Sequence, residues 1–181
     1  MSALAFDPRT LFLIGALSCL VCGVTLYSSR RIHRPSEQAL TWTAIAHLLI
    51  GLGMASAAMR GALAWDWSII AGNIFGPCGM AVFYEATRQL CHRPPRLGRL
   101  ALGCAAFVIL ALAMGTARED FVLRLQITTV IQGGLVAMAL PLLHERWRNR
   151  ADARAPLSWA LGLVGLVVGV HLIRVLALVV Q

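Results

Sequence analysis

Residues 11–59 decide the fold. They read LFLIGALSCLVCGVTLY from Leu11 to Tyr27, then SSRRIHRPSEQ, then LTWTAIAHLLIGLGMASAAM from Leu40 to Met59. Two uncharged apolar runs flank a short segment carrying Arg30, Arg31 and Arg34. Each run is close to the roughly 20 apolar residues needed to cross a bilayer. Neither alternates apolar with polar residues as a membrane barrel strand does, and in lipid only closed backbone hydrogen bonding survives. Both are therefore expected to be transmembrane helices.

The same grammar repeats to position 181. Further apolar runs occupy Trp67–Tyr84, Leu100–Met114, Phe121–Leu143 and Leu157–Val180, separated by GALAWD, EATRQLCHRPPRLGR, GTARED and HERWRNRADARAP. The expectation is an all-α integral membrane protein, one domain over 1–181, with helices at 11–28, 40–60, 67–87, 99–115, 121–143 and 157–180. Composition agrees. The chain is 59% hydrophobic and 13% charged with a mean hydropathy of +0.74, against about 25% charged in soluble domains. Six crossings and their loops consume the chain and leave no room for a soluble catalytic domain. The N-terminus lacks the basic segment and small-residue cleavage site of a secretory signal, so the first run reads as a retained helix.

All 16 basic residues are arginine, which with abundant Ala, Leu and Gly reflects GC-rich coding and a bacterial source. A net charge of +8 can signal nucleic-acid binding. Here the arginines sit between apolar runs, where they report topology and imply no nucleic-acid partner. The first, third and fifth loops hold eleven of them and the opposite side five. By the positive-inside rule the odd loops face the cytoplasm of a bacterial inner membrane, and both termini face outward.

Several residues can carry chemistry. Arg60, Arg124 and Arg174 are expected at one outer level with Asp66, Asn73 and His171. Guanidinium groups gathered there can bind a small anionic ligand bidentately. They can equally reach lipid headgroups or pair with Asp66, Glu119 and Asp120. His47 and His171 lie within apolar runs, where two imidazoles on facing helices can ligate haem iron and a single one can simply bond a neighbouring helix. Cys19 and Cys22 share one helical face without the further ligands of a metal or redox site. The other cysteines imply no disulfide framework. Glu85 and Arg88 form a simple i,i+3 pair, and no carboxylate lies mid-membrane to couple transport to protons. No catalytic or nucleotide-binding motif is present, so neither an enzyme nor a bound cofactor is expected. Glycines at 51, 53, 133, 134, 162, 165 and 169 are expected to let helices approach closely.

The order Trp42, Gly51, Gly53, Arg60, Asp66, Trp67, Ser68, Asn73, Tyr84, Arg88, Arg93, Pro94 resembles the multi-helix membrane regions that precede the cyclase domain of bacterial diguanylate cyclases, the GGDEF proteins. Arg124 and Arg174 fit the same pattern. The likeness is specific over about 42–95. It implies a sensory input module, and a homodimer, because cyclase domains act in pairs. It also departs from the family. A further helix and a cytoplasmic GGDEF domain would follow in such proteins, so cyclase activity does not transfer to this chain. The alternatives from the residues alone are a haem-binding electron carrier, a small-solute transporter and a membrane scaffold.

Overall fold

The computed structural model describes residues 8–32, 36–59, 62, 65–116 and 121–149, and in the last apolar run positions 158, 161, 162, 164, 165, 168, 169 and 172. The described residues are helical, with no strand among them. The elements are α1 (Pro8–Ser29), α2 (Glu37–Ala58), α3 (Trp65–Leu90), α4 (Leu97–Thr116), α5 (Phe121–Ala137) and α6 (Ala139–Asn149).

Among the described residues four stretches are long and apolar enough to cross a membrane: Arg9–Ser29, Glu37–Ala58, Trp67–Leu90 and Gln126–Asn149. That is fewer than the six crossings expected. Helix α4 runs Leu97–Thr116, 20 residues, which at 1.5 Å per residue matches the roughly 30 Å hydrocarbon core. The expected helix over 157–180 lies mostly outside the described residues. The expected helix over 121–143 continues to Asn149 and is interrupted at Met138. Pro141 explains the interruption. It has no N–H for the Ala137 carbonyl, and its ring crowds that oxygen. The amide of Met138 still bonds the Gly134 carbonyl at 3.0 Å, so α5 and α6 run on as one interrupted rod.

The core is built from small residues. Among the described residues nine of the fifteen buried apolar ones are alanine, while Leu11, Leu13, Ile14, Leu17, Val21 and Val24 on α1 stand exposed. Water-soluble packing would reverse that order. In lipid, small residues let backbones meet and large ones face the acyl chains. Alpha-1 packs antiparallel on α2, with Gly23 against Ala44 and Leu48 and Gly51 against Ala16 and Cys19. Alpha-2 packs antiparallel on α3. A methyl group on Gly53 would stand 3.0 Å from the Gly76 nitrogen, and one on Gly79 would stand 2.7 Å from Ile50 Cγ1 and 3.0 Å from the Ala46 oxygen.

Of the glycines expected to mediate packing, Gly51 and Gly53 do so. Gly134, Gly162, Gly165 and Gly169 meet nothing within 4 Å. Gly15, Gly23, Gly76 and Gly79 carry the role instead.

Alpha-3 and α5 run parallel and meet through polar groups. Thr128 Oγ1 donates to Asn73 Oδ1 at 3.4 Å, and the Gln132 amide lies over Gly76. Val136, Ala139, Leu143 and Val164 form a buried cluster with Met80 and Phe83 of α3 against it.

Candidate functional site

Two stripes at helical spacing face each other across a gap. On α2 they are Ala39, Thr43, His47 and Ile50; on α3 they are Met80, Phe83, Thr87 and Leu90. Steps of three or four residues keep each set on one helix face. With Leu26, Val136, Leu143 and Val164 they line a half-open cavity of about 590 Å³, within the roughly 300–1,000 Å³ typical of small-molecule sites. Its walls are apolar except for Thr43, Thr87 and His47.

The polar atoms in this cavity have a common character. Thr43 Oγ1 donates to the Ala39 carbonyl at 2.7 Å and Thr87 Oγ1 to the Phe83 carbonyl at 3.0 Å. Each hydroxyl has thereby spent its proton on its own helix. The Nδ1 of His47 lies 2.8 Å from the Thr43 carbonyl. A carbonyl only accepts, so the proton sits on Nδ1, and in the neutral ring Nε2 is left as an acceptor. With that ring neutral, the described walls of the cavity offer acceptors and no free donor.

The last turn of α3 leads from this cavity into a buried charged hub. Glu85 and Arg88 are 3% and 5% exposed. Arg88 Nε and Glu85 Oε2 are 3.6 Å apart, Glu85 Oε1 accepts from the Arg96 amide at 3.0 Å, and Arg88 Nη2 donates to the Pro94 carbonyl at 2.7 Å. The pair expected as a plain helical neighbour is thus the clamp that folds the α3–α4 loop back. What the spacing could not reveal was its burial and the loop atoms it holds.

A left-handed residue ends α3. His92 has φ 56°, its amide bonds the Gln89 carbonyl at 2.9 Å, and the Arg93 amide bonds the Arg88 carbonyl at 2.9 Å. This is the Schellman pattern, with Pro94 and Pro95 beyond it.

Alpha-6 is tied to the same end. Arg146 donates to the Leu90 carbonyl, the Cys91 thiol reaches the Leu142 carbonyl at 3.5 Å, and Arg93 pairs with Glu145 at 2.6 Å. Burial pushes the Cys91 thiol above its ordinary pKa, partly opposed by the nearby Arg146. Not every hub atom is satisfied. Arg88 Nε and both side-chain polar atoms of Gln89 are buried with no hydrogen-bond partner.

The expected outer site is placed only in part. Arg60, His171 and Arg174 lie outside the described residues. Asp66 and Arg124 are placed by backbone alone, in the first turns of the parallel helices α3 and α5, at the end away from the hub. Asn73 sits about two turns deeper and is engaged by Thr128. For the haem pair, His47 is at the cavity and its expected partner His171 is not described. Cys19 packs against Gly51 while Cys22 is exposed. No group of three potential metal ligands occurs among the described residues. Comparison with known proteins gives no match to a family model, a curated protein or a solved structure.

Proposed function

We propose that this chain is a sensory or regulatory input module of the bacterial inner membrane, without catalysis of its own, resembling the modules that precede diguanylate cyclase domains. One observation carries the reading. The α3 face that lines the cavity, Phe83 to Leu90, overlaps the turns that hold the Glu85–Arg88 hub. Filling or emptying the cavity would press on the segment that ties α3 to α4 and α6. A ligand shifts such an equilibrium only by its differential affinity for two arrangements. Arg88 Nε, ion-paired with Glu85 but without a hydrogen bond, and the Gln89 amide supply unspent hydrogen-bonding capacity for a second arrangement. The Arg-rich end, facing the cytoplasm under the positive-inside rule, is where an output partner would read the change.

The test is Glu85→Gln at the native locus with cellular cyclic di-GMP as the readout. The amide keeps the shape, loses the ion pair and leaves a buried Arg88 uncompensated. A shift of the messenger pool by severalfold relative to wild type, at equal protein abundance in the membrane, is the expected outcome. An unchanged pool overturns the signalling reading. The small anionic ligand at Arg60, Arg124 and Arg174, read from those residues, and the homodimer, implied by the resemblance, are further proposals.

A haem-binding electron carrier is the rival reading, favoured by His47 at the cavity wall, where the contact of Nδ1 with the Thr43 carbonyl leaves Nε2 as the nitrogen that would ligate iron. A Soret band in the purified protein, lost in His47→Ala, would replace the sensory reading.

A further inference from the structure

We infer that the cavity between α2, α3 and α6 is a binding site for an apolar small molecule carrying a hydroxyl donor, with His47 Nε2 as the receiving atom. The inference rests on the input-module reading for its role, and on the cavity alone for its chemistry.

The walls exclude other classes first. Among the described residues no arginine, aspartate or glutamate lines the cavity, so neither an anion nor a cation finds a counter-charge from them. Burying either without one is costly. An apolar body meets the walls through Met80, Phe83, Leu90 and Leu143.

The head group follows from the hydrogen-bond inventory. The two threonine hydroxyls direct their protons to Ala39 and Phe83, and the histidine directs its proton to Thr43. A carbonyl or ether head group would bring another acceptor to a set that holds only acceptors. An alcohol, a phenol or a reduced quinol supplies the missing proton. His47 is the best of the three acceptors, because each threonine oxygen already participates in an intrahelical bond. The cavity therefore discriminates between a hydroxyl compound and its methyl ether, two molecules of nearly the same shape and hydrophobicity.

The whole chain in nanodiscs would be titrated with 2-naphthol and with 2-methoxynaphthalene, following thermal unfolding and intrinsic tryptophan fluorescence. Dodecanol and dodecyl methyl ether form a second matched pair, which separates aliphatic from aromatic sources of the same hydroxyl. At least one hydroxyl compound is expected to bind roughly tenfold more tightly than its ether, the scale of one neutral hydrogen bond in a dry site.

In His47→Phe, which keeps an aromatic ring and removes the acceptor, that preference should fall to near unity while the ether binds as before. Thr43→Val tests the site without disturbing the His47 bond, since its acceptor is a backbone carbonyl; it should lower hydroxyl affinity only about twofold. Equal binding of hydroxyl and ether by the wild-type protein overturns the proposal. So does no binding of any of the four probes, or a hydroxyl preference that survives His47→Phe.

These outcomes separate from the signalling test. Hydroxyl binding with an unresponsive messenger pool removes the sensory role and keeps the ligand site. A messenger response to Glu85→Gln without probe binding does the reverse.

Discussion

At the scale of single residues, His92 shows how the chain ends a helix against its own preference. The Schellman turn after α3 needs a left-handed residue, and glycine fills that place at no steric cost. A side chain there costs about 1–2 kcal/mol. His92 is exposed, and its side chain makes no hydrogen bond among the described residues, so its ring returns none of that cost through such a bond. His92→Gly should therefore stabilise the protein by about 1 kcal/mol, seen as a higher melting temperature in detergent. A lower one would mean that the imidazole has a role in the loop. The sequence reading caught Glu85 and Arg88 as neighbours because i,i+3 spacing is local. It missed that both are buried, because burial depends on where residues 94–96 fold back, and no periodicity encodes that. His47 was legible as an unusual polar residue in an apolar run. Its second nitrogen became informative only once Thr43 was seen to take the first.

At the scale of elements, the α2–α3 contact is set by glycines that a hydropathy reading treats as equal to all others. Gly51 and Gly53 were singled out in sequence and do pack; Gly79 was not, although it lies closest to its neighbours. Helical periodicity says which residues share a face, but it does not say which face meets a partner. That is why Gly134 and Gly165 looked equivalent to Gly53 and face open space. The steric argument gives a direct prediction. A methyl group at Gly79 meets Ile50 Cγ1 at 2.7 Å and two backbone atoms at 3.0 Å. Ile50 Cγ1 can turn aside, but the Ala46 oxygen and Ile50 nitrogen move only if α2 moves. Gly79→Val should cost about 1–3 kcal/mol. Gly134→Ala, in open space, should change stability little or raise it slightly, since alanine favours helix by about 1 kcal/mol. Equal losses in the two variants would contradict this packing. Pro141 is the other element-level lesson. The expected helix simply ran through it, whereas the chain is interrupted three residues earlier, at Met138.

At the scale of the molecule, the all-helical class was legible because apolar run length is a physical requirement of the bilayer. The number of crossings was less so. Alpha-4 is apolar throughout its centre and runs Leu97–Thr116, but run length alone does not say whether such a helix crosses, tilts or stops short. Charge supplies the independent constraint. Arg93 meets Glu145 and Arg146 meets Leu90, so the third and fifth basic segments share one end of the bundle. The start of α2 joins them there, since Ser36 and Gln38 line a cleft with His92 and Arg93. The turn between α2 and α3 belongs to the opposite end, because Gly53 meets Gly76 while Ala39 lies beside Leu90. Under the positive-inside rule, an impermeant maleimide should label Ala62→Cys from the periplasmic side of the inner membrane. Pro95→Cys should stay unlabelled until the cells are lysed, both in a background with the five native cysteines replaced by alanine or serine. Labelling of Pro95→Cys in intact cells with Ala62→Cys protected would invert the orientation and turn the hub away from any cytoplasmic output. Labelling of both from outside would mean that α3 does not cross.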